Sequence, residues 1–367
     1  MKNNPLIDVK GLGQSIWLDY IQRDLLQSGE FQKLITQDGL CGVTSNPAIF
    51  EKAITEHHDY DAAIKSMSGA TVDRLYEQLA IADLQQAADL LRPVFDGTQG
   101  RDGYVSFEVA PQLADDTAAT IDEARRLWAA LDRPNSMIKV PATLAGVAAI
   151  QQLISEGINI NATLLFSLQR YQQVAESYLS GLEARLQRGE AIDSVASVAS
   201  FFLSRIDTLV DKKLDVLATA VNQSIVTSLR GKTAVASARL AYQHYKRLFS
   251  GDRWQRLAAA GASSQRLLWA STSTKDPNYT DIKYVDALIG KDTINTLPPE
   301  TLAAYRDHGQ PMTRLEDDLD VAHNTLNGLA DIGLDLKSLT YQLEREGVDK
   351  FTTAYTTLFE NLRQRLH

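Results

Sequence analysis

Short apolar runs alternate with longer segments of helical period along most of the chain, and this alternation limits the fold more than any single motif. Eight runs read as strands: Ser15–Asp19, Leu40–Ser45, Tyr104–Val109, Ser136–Val140, Ile158–Leu165, Ser194–Phe201, Gln265–Ala270 and Ala287–Thr293. Between them apolar residues recur at three- and four-residue spacing. Val72, Leu75, Leu79 and Ala82 do so, as do Ala124, Leu127, Trp128 and Leu131, and Val174, Tyr178, Leu182 and Leu186. Such alternation predicts a parallel sheet joined by right-handed helical crossovers. Eight repeats predict an α/β fold closed into a (β/α)8 TIM barrel, although an open doubly wound sheet satisfies the same alternation.

A minimal barrel needs about 250 residues; the chain has 367. The excess falls in two places. Residues 205–264 separate the sixth and seventh strands and hold helices broken at Gly231 and at Gly251-Asp252. The tail from about 298 to 367 ends in an amphipathic helix with Phe351, Tyr355, Leu358, Leu362 and Leu366 on one stripe. No linker divides the chain. The expectation is therefore one barrel domain over 1–367, with a helical insertion at about 205–264 and a helical C-terminal extension at about 298–367.

Composition removes several function classes. The net charge is −9 and the basic residues form no stripe, which argues against nucleic-acid binding. Phosphate binding stays open, because it needs only a few local cations. The single cysteine, Cys41, lies in the apolar run Leu40-Cys41-Gly42-Val43, so no internal disulfide forms and a buried core thiol is expected. No stretch approaches about 18 apolar residues, and Met1-Lys2-Asn3-Asn4-Pro5 leads into no apolar segment, so a cytoplasmic protein is expected. In that compartment the glycosylation triplet Asn161-Ala162-Thr163 has no meaning. His57, His58, His244, His308, His323 and His367 form no metal-binding spacing. His57-His58, neighbours on an expected helix, point in different directions and read as surface residues. Gly231-Lys232-Thr233 lacks the upstream glycine of a phosphate loop. Gly11-Leu12-Gly13 precedes the first strand instead of following it. No nucleotide, nicotinamide or metal cofactor is implied.

The informative residues are charges inside strands that should be buried on both faces. Lys139 lies in Met137-Ile138-Lys139-Val140-Pro141, Glu108 in Ser106-Phe107-Glu108-Val109, and Asp19 ends Ile16-Trp17-Leu18-Asp19. Each alone has an ordinary explanation: a lysine snorkelling at a strand end, a structural ion pair, a helix N-cap before Tyr20–Gln37. Three on different strands, all toward the carboxyl ends, point to one site at the catalytic end of a barrel. A lysine with two carboxylates suits amine attack on a ketone. The iminium that forms is an electron sink for carbon–carbon cleavage, and the carboxylates move protons. The attack needs a neutral amine. A pKa near 7–8 lies about 3 units below the ordinary value, a change of about 4 kcal/mol. Ile138 and Val140 flank Lys139, and no acid in its own strand holds it charged. Polar clusters join the site: Thr44-Ser45-Asn46-Pro47 after the second strand, also readable as a turn before a helix, and Asn161 with Thr163 on one face of the fifth.

These residues together resemble the transaldolase family. The resemblance rests on Trp17-Leu18-Asp19, Gly42-Val43-Thr44-Ser45-Asn46-Pro47, Val105-Ser106-Phe107-Glu108-Val109, Met137 to Thr143, Gly157 to Ser167, and Ala199 to Asp207, in the family's order. The size is similar to that of the longer bacterial branch. The resemblance implies a Schiff-base nucleophile at Lys139 and an acid/base at Asp19 for the substrate's C4 hydroxyl. It implies that Glu108 and Thr163 orient a catalytic water, and that Asn46 and Asn161 hold the dihydroxyacetone hydroxyls. Thr44 and Ser200 match lesser polar contacts, and Arg205 a phosphate-binding arginine. One stretch departs: where shorter relatives carry a second phosphate arginine, this chain has Ala270-Ser271-Thr272-Ser273-Thr274-Lys275. Ser271 and Lys275 are the candidates left there, the lysine acting as a point charge.

The implied reaction moves a dihydroxyacetone unit from sedoheptulose 7-phosphate to glyceraldehyde 3-phosphate, giving erythrose 4-phosphate and fructose 6-phosphate. This is carbohydrate metabolism in the non-oxidative pentose phosphate pathway (pentose shunt), by a transferase with no cofactor. The partners implied are small sugar phosphates, with no nucleic acid and no membrane; monomer and homodimer fit equally. A fructose-6-phosphate aldolase is the nearest rival, but that branch is shorter and has a tyrosine where this chain has Phe202. A silent sugar-phosphate-binding protein is the rival from another class.

Overall fold

Eight strands, each buried along its whole length, form the centre of the molecule: β1 Gln14–Leu18, β2 Gly42–Val43, β3 Tyr104–Glu108, β4 Ser136–Pro141, β5 Ile160–Leu165, β6 Ser197–Phe202, β7 Arg266–Ala270 and β8 Thr293–Leu297. The computed structural model describes residues 4–67, 69–218 and 223–366; Met1, Lys2, Asn3 and His367 fall outside these. The strands pair in chain order, all parallel, and β8 closes on β1 over five residues, from Gln14 opposite Thr293 to Leu18 opposite Leu297. The closed TIM barrel excludes the open doubly wound alternative. A strand with covered outer face and filled interior has no solvated side, which is why apolar runs mark most of these strands.

The helices between strands start where capping chemistry starts them. Thr71, Asp116, Thr143 and Ser167 each accept a hydrogen bond from the backbone N–H three residues on, opening helices Val72–Gly97, Thr117–Leu131, Leu144–Ser155 and Leu168–Gln187. Gly103 leads into β3 at φ 90°, where a β-carbon would come within 2.5 Å of the Phe95 backbone nitrogen. The amino-terminal end of the barrel is closed by a buried polar plug. Asp102 pairs with Arg266 at 2.9 Å and accepts from Ser15 Oγ at 2.7 Å and Trp17 Nε1 at 3.2 Å. Both Asp102 carboxylate oxygens have donors, so the charges are tolerated in the core. Cys41 is buried close to it; burial and Asp102 push its thiol up to about 12.

The eighth strand differs from the expectation of Ala287–Thr293. Leu288 and Ile289 are fully buried, yet they form a turn before the strand. Their carbonyls are used otherwise: Leu288 O accepts from Gln14 Nε2 and Trp269 Nε1, and Ile289 O from the Arg314 and Leu315 amides. The strand proper, Thr-Ile-Asn-Thr-Leu, is polar because Thr293 and Thr296 are satisfied inside the fold, by the Gly290 carbonyl and the Thr44 hydroxyl. Asp19 caps no helix either. The chain after β1 bends at Asp19 and continues without regular structure to Gln22, and two short helices follow, Arg23–Gln27 and Glu30–Asp38. His57 and His58 lie in the turn after helix Pro47–Thr55, not on a helix.

Between β6 and β7 lie helices Ser204–Leu217, Gln223–Leu229, Thr233–Leu248 and Asp252–Ala259. After β8 come Pro299–His308, Leu319–Asp331 and the 31-residue helix Leu336–Leu366. This last helix packs on Pro47–Thr55, on Val72–Gly97, on Ser204–Leu217 and on the 3-10 turn Pro111–Leu113, elements that follow β2, β3 and β6. It therefore lies across the carboxyl-terminal mouth. Phe351, Leu358 and Leu362 of the expected stripe are buried beneath it. Arg170 pairs with Glu344 at 3.0 Å and Arg345 with Asp115 at 2.8 Å, tying its first half to the barrel.

Candidate active site

Parallel pairing of β3 with β4 sets Glu108 directly opposite Lys139. Both point into the barrel, and Glu108 Oε2 lies 3.5 Å from Lys139 Nζ. The ammonium also donates to the Ser45 carbonyl at 3.1 Å. No acid lies in the lysine's own strand, as expected; the acid that faces it comes from the neighbouring strand. Glu108 accepts no hydrogen bond at either oxygen. Burial pushes its carboxyl up to about 7, against the opposing pull of Lys139.

Asp19, directly after β1, shares the cavity wall with the lysine and feels its charge. Its Oδ1 accepts from Thr44 Oγ1 at 2.7 Å, and that hydroxyl also meets Thr296 Oγ1 at 2.7 Å. Burial raises the Asp19 carboxyl above the ordinary range; Lys139 and the Thr44 hydrogen bond oppose this, and Glu300 adds to it. The two carboxyls thus sit in different surroundings around one amine, the arrangement that separates acid/base roles.

The lysine opens onto a cavity of about 940 Å³. Asp19, Thr44, Asn46, Ser200, Arg205, Ser271 and Lys275 line it with Lys139. Asn46 fills both of its readings, since its Oδ1 caps helix Pro47–Thr55 at the Ile49 amide while the residue forms part of the wall. Three candidate residues lie behind the wall. Glu108 is reached through Lys139. Asn161 is fully buried, donating to Ser106 Oγ at 3.1 Å and accepting from Ser200 Oγ at 2.7 Å. Thr163 is fully buried with a hydroxyl that has no hydrogen-bond partner.

Arg205 lies in the first turn of helix Ser204–Leu217, where the helix dipole already favours an anion. Its guanidinium carbon sits 5.4 Å from the Phe202 ring centroid and 5.9 Å from that of Phe351. Burial lowers its pKa, and its buried Nη1 has no hydrogen-bond partner. A desolvated cation with an unused donor at a helix N-terminus is built for an anion. Ser271 is held by Ser204, hydroxyl to hydroxyl at 2.8 Å, and adopts φ 54°. Lys275 donates to Ser273 Oγ at 2.5 Å. Among the described residues no group of three or more His, Cys, Asp or Glu is arranged to hold a metal.

The model of the family "Transaldolase/Fructose-6-phosphate aldolase" matches residues 16–362. The chain belongs to that family. Curated relatives align over nearly their whole length. "Transaldolase 2" of Nostoc sp. is 48% identical, over 100% of this chain and 98% of its own. "Transaldolase" of Thiobacillus denitrificans is 50% identical over 97% and 98%. "Transaldolase" of Trichodesmium erythraeum is 46% identical over 100% and 98%. The family's match reaches the C-terminal helix, and so does the site. Gln342, Leu343, Glu346, Lys350 and Phe351 complete the cavity wall. Sequence reasoning missed these, reading Phe351 only as one member of an apolar stripe. It also missed Thr296 and the Ser45 carbonyl. Thr296 lay beyond the expected strand, and a backbone acceptor leaves no signal in side-chain chemistry. No helix is long and apolar enough to cross a membrane among the described residues.

Proposed function

We propose that this enzyme is a transaldolase that works through a Schiff base on Lys139. The observation that carries the reading is the buried Lys139–Glu108 pair, whose lysine lines an open cavity. A proton passed from the ammonium to Glu108 leaves two neutral groups in place of two buried charges. Burial, which raises the Glu108 carboxyl, favours that exchange. The free amine then adds to the C2 carbonyl of a ketose phosphate, and loss of water gives the iminium. Asp19 removes the C4 hydroxyl proton, the C3–C4 bond breaks, and its electron pair flows into the iminium as an enamine. The aldehyde phosphate departs, an acceptor aldehyde takes its place, and the steps reverse.

Arg205 holds the phosphate, with Ser271 and Lys275 beside it on the wall. Asn46 and the Asn161–Ser200 pair hold the three-carbon hydroxyls, and Glu108 with Thr163 directs the water that enters and leaves at C2. The substrates are sedoheptulose 7-phosphate and fructose 6-phosphate as donors, glyceraldehyde 3-phosphate and erythrose 4-phosphate as acceptors. The test is a product assay on purified protein with fructose 6-phosphate and erythrose 4-phosphate. Formation of sedoheptulose 7-phosphate as the main product is expected. Free dihydroxyacetone as the main product, even with acceptor present, would move the chain to the aldolase side of the family.

A further inference from the structure

The last helix brings one aromatic ring over both reactive cations. Phe351 is 4% exposed and lines the cavity. Its ring centroid lies 5.8 Å from Lys139 Nζ and 5.9 Å from the Arg205 guanidinium carbon. The ring thus borders the nucleophile and the anion-binding arginine at once.

Three features fix the ring there. One helical turn earlier, Gly347 seats the helix on β5: a β-carbon at this position would come within 2.9 Å of Leu164 Cδ2 and 3.6 Å of Arg205 Nη1. Leu164 itself sits at φ 60°, inside the register irregularity between Ala162 and Leu165. A bulky residue in the left-handed region is strained and persists only where its surroundings over-determine it. The ion pairs Arg170–Glu344 and Arg345–Asp115 hold the same half of the helix. The C-terminal helix is therefore a fixed roof, and Phe351 is its apolar contact with the reacting end of the cavity.

We propose that Phe351 is a specificity-determining residue that sets how the covalent intermediate divides between an aldehyde acceptor and water. The inference rests on the Schiff-base reading above. After the first aldehyde leaves, the enamine carbon has two fates. Attack on an acceptor aldehyde forms the new carbon–carbon bond. Alternatively, the carbon takes a proton from water and the resulting iminium adds hydroxide at C2; expulsion of the Lys139 amine then releases dihydroxyacetone. The second route needs water beside the enamine, and an apolar ring at this place removes room for it. The same ring keeps the Arg205 donor dry, so an arriving phosphate meets an unsolvated cation.

The test compares two rates on one preparation: transfer from fructose 6-phosphate to erythrose 4-phosphate, and release of dihydroxyacetone from fructose 6-phosphate alone. Their ratio does not depend on the folded fraction. Phe351→Ala is expected to raise release relative to transfer by about tenfold, equal to about 1.4 kcal/mol of differential barrier. Phe351→Leu, which keeps the helix packed but loses the flat ring, is expected to shift the ratio less and in the same direction. If the alanine variant does not fold, the leucine variant decides. A ratio equal to that of the parent chain in a folded variant overturns the proposal, as does an equal fall in both rates. Borohydride trapping on the same samples separates the two layers. An adduct on Lys139 with an unmoved ratio removes only the role of Phe351, whereas no adduct in the parent chain removes the Schiff-base reading itself.

Discussion

Replacing Glu108 by glutamine tests the electrostatics of the site through the stability of the fold. The carboxyl stands near 7 in the folded chain against an ordinary value of 4.5, chiefly because it is buried. A raised value means that the folded state holds the proton more tightly than the unfolded state. Its stabilising contribution is complete below the unfolded value and is lost as pH rises through the folded one. The gap of about 2.5 units corresponds to about 3 kcal/mol, lost between about pH 4.5 and pH 7. Glutamine keeps the shape and has no proton to lose. Glu108→Gln should therefore gain about 3 kcal/mol relative to the parent chain on going from pH 4.5 to pH 8. Urea unfolding at a series of pH values measures this directly. The same variant should lose at least about a hundredfold in transfer rate, because the group that exchanges a proton with the lysine is gone. A stability difference that stays flat across this pH range would refute the account of Glu108 as a desolvated acid beside the amine.

Two further outcomes are expected. Arg205→Ala should raise KM for phosphorylated sugars by more than about tenfold while barely affecting unphosphorylated dihydroxyacetone donors; equal effects on both would remove Arg205 from the phosphate site. Asp102→Ala breaks the buried pair with Arg266 at the opposite end of the barrel and should cost about 3–5 kcal/mol of stability, with the turnover of folded molecules unchanged. Denaturant midpoints measured together with activity check that; a specific loss of turnover without a loss of stability would contradict the structural role.

The sequence was legible where burial and apolar character coincide. Seven strands fall within a few residues of their expected places because their runs, such as Met137-Ile138 in β4 and Leu267-Leu268-Trp269 in β7, are buried on both faces. The eighth was misplaced because burial and strand pairing came apart. Leu288 and Ile289 are buried in a turn, whereas Thr293 and Thr296 pair in a strand with their hydroxyls satisfied nearby. The site was legible as an anomaly, since charges at Asp19, Glu108 and Lys139 broke an apolar pattern. Their distances were not. Spacing along one strand cannot show that the register of β3 on β4 sets Glu108 opposite Lys139. Phe351 lies more than two hundred residues from Lys139 in the chain, and its helical stripe records only that one face is buried. Packing of the C-terminal helix across the mouth decides that this face covers the candidate site as well as a core.

The central claim is a covalent bond between Lys139 and the substrate, and borohydride trapping tests it most directly. The protein would be mixed with fructose 6-phosphate, reduced, digested and mapped by mass spectrometry, with Lys139→Ala treated in parallel. The account predicts a three-carbon adduct on Lys139 in the parent chain and none in the variant, which should also have no measurable turnover. No adduct on any lysine in protein that still binds the sugar phosphate, or transfer activity surviving in the variant, would contradict it.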